Sequence, residues 1–121
     1  MARILVVDDD ATVRDFVCKV LESGGHEVSV AEDGEKALAL YKTQPADLVI
    51  ADLFMPVLDG LQLIVKLREE YPETKFIAIS GSVYERKPRF LEIAGHMEAV
   101  LTLSKPFSAR ELMDVVLEAL G

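Results

Sequence analysis

Three short runs in this chain, Ile4–Val7, Leu48–Ala51 and Phe76–Ile79, are apolar at every position. A strand with one face in water alternates apolar and polar residues, whereas a strand covered on both faces reads as an unbroken apolar run. Two further β-branched segments, Glu27–Ala31 and Val100–Leu103, complete five predicted strands, and the alternation in "HEVSVA" marks the second as an edge.

Between the strands the apolar period switches to that of a helix. Val13, Phe16, Val17, Val20 and Leu21 form a stripe that stops at Gly24–Gly25, with Asp10 as its cap. Asp33 caps "GEKALALYK", which ends before Pro45, and Asp59 precedes "GLQLIVKLREEY", which ends at Pro72. Pro88 opens a short fourth helix, "RFLEIAG", after a long loop from Gly81 to Lys87. Ser108 and Glu111 form a capping box before a last helix with Leu112, Val115, Val116 and Ala119 on one side. Regular alternation of this kind predicts one α/β domain over residues 1–121: three layers, doubly wound, a five-stranded parallel sheet with five helices and right-handed crossovers.

Composition narrows the function. With 121 residues, half of them hydrophobic, the chain can bury one sizeable core. Thirteen basic against twenty-one acidic residues give a net charge of −8, which argues against direct contact with nucleic acid or an anionic membrane surface. Cys18 is the single cysteine, so neither a disulfide framework nor a cysteine-based metal site is expected. The apolar runs are too short for a membrane span, and Asp8 interrupts "MARILVV" before it could serve as a signal peptide. A cytoplasmic protein is expected.

Ligands of open α/β sheets bind beyond the carboxyl ends of the strands. The first strand delivers Asp8 and Asp9 there, the third Asp52, the fourth Ser80 and the fifth Lys105. Singly, each has a bland explanation: a helix cap, a solvated loop acid, a turn serine, a surface ion pair. Together they put three carboxylates, a hydroxyl and an ammonium at one rim. Unit charges about 4 Å apart repel by roughly 4 kcal/mol at an effective dielectric of 20, so such acids call for a counter-charge. Paired carboxylates suit Mg²⁺. The third could attack phosphorus as an aspartyl nucleophile, with Mg²⁺ and Lys105 neutralising phosphoryl oxygens and Ser80 bonding one of them.

"VVDDD", "DLVIADLFMPVLDG", "AISGS" and "LSKPF", in this order and over essentially the whole chain, resemble the receiver domain of two-component response regulators. The resemblance implies a flavodoxin-like fold with strand order 2-1-3-4-5 and a cis bond between Lys105 and Pro106. It implies that Asp8 and Asp9 are the metal-binding pair, that Asp52 is the phospho-acceptor, and that the Phe54 backbone carbonyl completes the Mg²⁺ site. Ser80 then matches the switch hydroxyl and Lys105 the phosphate-sensing lysine. The implied partners are a sensor histidine kinase or phosphotransfer protein and a downstream effector. The effector would read the face made by the fourth helix, fifth strand and last helix, and receivers often form a phosphorylation-linked homodimer through that face. Such a chain is a signalling switch rather than an ordinary enzyme. Two other readings stay open: "DDDAT" fits the D-x-D-x-T pattern of haloacid-dehalogenase-type phosphatases with Asp8 as nucleophile, and the fold could serve as an unphosphorylated binding module.

The sequence also departs from the family pattern. Thr102 stands where receivers usually carry an aromatic residue, and it is too small to gate by ring rotation; Tyr84, in the loop after Ser80, is either a substitute or an exposed loop residue. Pro88 lies well beyond Ser80, so the loop is stretched and an unusual output face is expected. The bulky Phe54 beside Asp52 is expected to limit water access and prolong the phosphorylated state. Cys18 is read as packing. His26 and His96 sit at element boundaries without a partner motif, and "RKPR" (86–89) is read as a solvated loop.

Overall fold

The computed structural model describes residues 2–53, 58, 60–81 and 100–121, with backbone alone for Ser80 and Gly81. Its elements are β1 (Arg3–Val7), α1 (Ala11–Ser23), β2 (Glu27–Ala31), α2 (Gly34–Thr43), β3 (Leu48–Asp52), α3 (Gly60–Glu70), β4 (Phe76–Gly81), β5 (Leu101–Lys105) and α4 (Ala109–Leu120). The expected short helix "RFLEIAG" lies outside the described residues, as do Pro88, Tyr84, His96, "RKPR" and the Asp59 cap.

All strand pairs are parallel and run in the order β2-β1-β3-β4-β5, the flavodoxin-like arrangement. Successive side chains of a strand point to opposite faces, which explains the unbroken apolar runs. Leu5, Val7, Val49, Ala51, Phe76 and Ala78 pack beneath α2 and α3 through Ala37, Tyr41, Leu61, Ile64 and Leu67. Ile4, Val6, Leu48, Ile50, Ile77 and Ile79 meet α1 and α4 through Val17, Leu21, Leu112 and Val116 on the other side. Each fully buried Leu or Ile contributes roughly 1.5–3 kcal/mol relative to exposure, so both layers are held firmly to one sheet. Phe16 departs from its expected place in the α1 stripe. It is 40% exposed at the margin of the helix, its ring 6.1 Å from that of Phe107.

Local chemistry starts the helices where the sequence indicates. Asp10 Oδ1 accepts from the Thr12 amide at 2.9 Å, and Asp33 Oδ1 from the Lys36 amide at 2.8 Å. Ser108 and Glu111 cap each other reciprocally, both bonds at 3.0 Å. Gly24 caps the end of α1, and Gly25 follows at φ +87°, a conformation that favours glycine.

β3, β4 and β5 run one or two residues past the ends of their apolar runs. Ladder hydrogen bonds belong to the backbone, so pairing continues through Asp52↔Ile79, Ser80↔Ser104 and Gly81↔Lys105 after the side chains turn polar. Asp52, Ser80 and Lys105 therefore sit on strands rather than on free loops. The Lys105–Pro106 bond is cis, as the resemblance implies.

Candidate functional site

The carboxyl rim of the sheet gathers the charges. Asp8, just past β1, is fully buried. Its amide donates to Ala31 O at 3.2 Å, its Oδ1 accepts from the Asp10 amide at 2.9 Å, and its carbonyl accepts from Arg14 Nη1 at 2.7 Å. Its Oδ2 is buried and accepts no hydrogen bond; it faces Lys105 Nζ at 3.4 Å, an ion pair without hydrogen-bond alignment. Asp52, at the end of β3, is 7% exposed and accepts from Lys105 Nζ at 2.8 Å. Asp9 is exposed beside them, and one carboxylate oxygen from each of the three acids lies within 4.8 Å of the others.

Lys105 pairs with both Asp8 and Asp52, and Asp9 adds a third carboxylate beside them, so among the described residues the acids of the cluster outnumber the ammonium that faces them. Burial pushes the Asp8 carboxyl above its ordinary range and the neighbouring Asp52 charge pushes the same way; the Asp10 amide and Lys105 pull it back only in part. For Lys105, burial opposes the charge. The hydrogen bond and charge of Asp52, and then Asp8, outweigh it and hold the ammonium above its usual value. A buried, unbonded carboxylate oxygen within a set of hard oxygen donors fits a small divalent cation, which would supply the missing charge.

The Asp-Gly that closes the long motif has a steric basis at Gly60. A Cβ there would lie 2.2 Å from the Asp52 carbonyl oxygen, and the Gly60 amide bonds Leu53 O at 3.1 Å. Gly34, opening α2, is under the same constraint: its Cβ would meet Leu58 O at 2.3 Å, the oxygen its amide bonds at 3.1 Å. Two glycines thus let α2 close directly on Leu58 and α3 on Asp52 and Leu53.

Of the residues singled out in the sequence, Asp8, Asp9, Asp52 and Lys105 come together. Ser80 reaches the same rim by its backbone pairing with Ser104. Phe54 lies outside the described residues, and Thr102 is exposed on β5. His26 has a structural bond, its Nδ1 accepting from the Ala2 amide at 3.1 Å, and Cys18 is half-buried on α1. Arg14 is the residue that pattern reading missed. A cation in the first turn of a helix opposes the helix dipole, and that conflict was the available signal. Among the described residues the three acids are the one cluster suited to a metal. A cleft of about 740 Å³, lined by residues such as His26, Tyr41, Tyr71 and Thr74, opens at the opposite end of the sheet.

A parallel doubly wound sheet with a buried acid pair and a lysine converging at its carboxyl rim defines an acidic-site α/β domain of flavodoxin-like type. The family model for the response regulator receiver domain matches residues 4–117, and the chain belongs to that family, whose members are signalling domains of two-component systems. It is 36% identical over 115 residues to the response regulator protein FleR of Pseudomonas aeruginosa, covering 95% of this chain and 24% of FleR. Against the response regulator receiver protein CpdR of Brucella abortus it is 31% identical, covering 96% of this chain and 94% of CpdR. The chemotaxis protein CheY4 of Vibrio cholerae superposes with a TM-score of 0.87 at 30% identity, over 99% of both chains. The chain spans about half or less of the length of most curated relatives it matches. No helix among the described residues is long and apolar enough to cross a membrane.

Proposed function

We propose that Asp52 accepts a phosphoryl group from the phosphohistidine of a sensor histidine kinase or phosphotransfer protein, with Mg²⁺ held by Asp8, Asp9, Asp52 and the Phe54 carbonyl. The observation that carries this reading is the convergence of three acids, two of them paired with Lys105, at the strand ends of a chain that belongs to the receiver family. Bound at these acids, Mg²⁺ supplies positive charge that offsets the phosphoryl oxygens. Asp52 is the nucleophile in this reading because it ends the neighbouring strand and faces the adjacent pair Asp8 and Asp9. In the transfer the P–N bond of the donor breaks, its imidazole keeping the electron pair, as a carboxylate O–P bond forms on Asp52.

The new charge then changes the partners of Lys105. Its ammonium, now on Asp52 Oδ2, passes to a phosphoryl oxygen, and the Ser80 hydroxyl donates to another. Both residues lie near the carboxyl ends of the adjacent strands β4 and β5, so their movement biases the face around β5 and α4. An effector or a second copy of the chain reads that face. This is a switch that assists its own phosphorylation and turns over no metabolite; a cytoplasmic location goes with it.

Intact mass after incubation with acetyl phosphate and Mg²⁺ tests the reading. One phosphoryl adduct is expected on the native protein, absent from Asp52→Asn and absent when the cation is chelated. Steady phosphate release without an adduct would point instead to hydrolysis at Asp8. Neither adduct nor release, with a cognate kinase also supplied, would leave a binding module.

A further inference from the structure

The bonds that hold Asp8 do not all come from the strand. Beyond Val7 the ladder to β3 has ended, and the Asp8 carbonyl takes its hydrogen bond from a side chain, Arg14 Nη1 at 2.7 Å. Arg14 lies in the first turn of α1, and its own amide bonds Asp10 O at 3.0 Å, so its base is fixed in the helix. Its arm reaches back past the Asp10 cap to the residue where the chain leaves β1. The helix dipole disfavours a cation at that end, so the placement calls for a specific contact.

We infer that Arg14 is a positioning residue for the carboxylate cluster: by fixing the Asp8 peptide it keeps the unbonded Oδ2 turned toward Asp52 and Lys105. The inference rests on the proposed Mg²⁺ site and deepens it. It also separates cleanly from a charge effect. A guanidinium bonded to the Asp8 carbonyl brings a positive charge toward the cluster, so on electrostatics alone its removal would leave Mg²⁺ binding unchanged or strengthen it. A positioning role has the opposite sign, because residues that orient metal ligands typically cost tenfold or more in affinity when lost.

Isothermal titration of Mg²⁺ into the native chain, Arg14→Met and Arg14→Lys, with melting curves of each, decides the matter. Arg14→Met keeps the length of the side chain without donor or charge, and it is expected to bind Mg²⁺ about tenfold more weakly. Arg14→Lys restores a donor on a long arm and is expected to recover most of that loss. Equal or tighter binding by Arg14→Met overturns the inference and leaves the Mg²⁺ site standing. A lowered melting temperature with native-like Mg²⁺ affinity shows a merely structural contact and overturns it as well. No Mg²⁺ binding by the native protein overturns the metal reading, and the inference with it. If Arg14→Met does not fold cooperatively, Arg14→Gln, polar but too short to span the gap, takes its place in the comparison with the same expected loss.

Discussion

Asp8 illustrates how a candidate site residue can weigh against the fold that carries it. Its carboxyl is pushed above the unfolded-state value of 3.8, chiefly by burial. Between that value and the folded one, the native state binds more protons than the unfolded chain, so stability falls as pH rises through this window and stays lower at neutral pH. Asp8→Asn replaces the ionised group with a neutral amide. In chelator at pH 7 it is expected to gain stability on the order of 1 kcal/mol, read as a raised melting temperature. Added Mg²⁺ should raise the melting temperature of the native protein and leave the variant nearly unmoved. Melting the variant at or below the native temperature in chelator would show that the Asp8 contacts outweigh its burial.

At the level of elements, caps and periods could be read from the sequence because they are local. Asp10, Asp33 and the Ser108–Glu111 pair each act within one helical turn. The strand ends could not be placed in this way, because a backbone ladder ignores the polarity of Asp52 or Lys105. The glycines at 34 and 60 lie between the two cases. As letters they are visible, but their reason is a carbonyl contributed by another part of the chain. Gly60→Ala drives a Cβ into the Asp52 carbonyl and is expected to destabilise the fold by about 3 kcal/mol in urea titrations, at the upper end of overpacking costs. It should also weaken Mg²⁺ binding, since the displaced backbone is that of Asp52. Native-like urea stability in this variant would mean that α3 shifts freely relative to β3.

Across the whole molecule, two apolar layers share a single sheet, and the acidic site stands at the end of that sheet. Truncation on either side is therefore expected to act through the same global equilibrium. Ile64→Ala on the buried face of α3 and Leu112→Ala on that of α4 should each cost about 2–5 kcal/mol, with single coincident transitions by circular dichroism and intrinsic tyrosine fluorescence. Separate transitions would show that the layers unfold independently. The architecture and the acid cluster were readable because unbroken apolar runs mark covered parallel strands, whose carboxyl ends all open on one rim, and because the motifs carrying Asp8, Asp9, Asp52 and Lys105 follow those runs directly. Arg14 escaped notice because its work is done through a backbone carbonyl, and Phe16 because a helical stripe does not say where the partner layer stops.

The closed seams at Gly34 and Gly60 carry one more consequence. Gly60 meets the backbone of Asp52 and Leu53, and Gly34 meets that of Leu58. Both clasps are made of main chain and not of side chains. Core residues on either layer can therefore be exchanged for others of similar volume without changing which backbone atoms meet beside the Asp52 carboxylate.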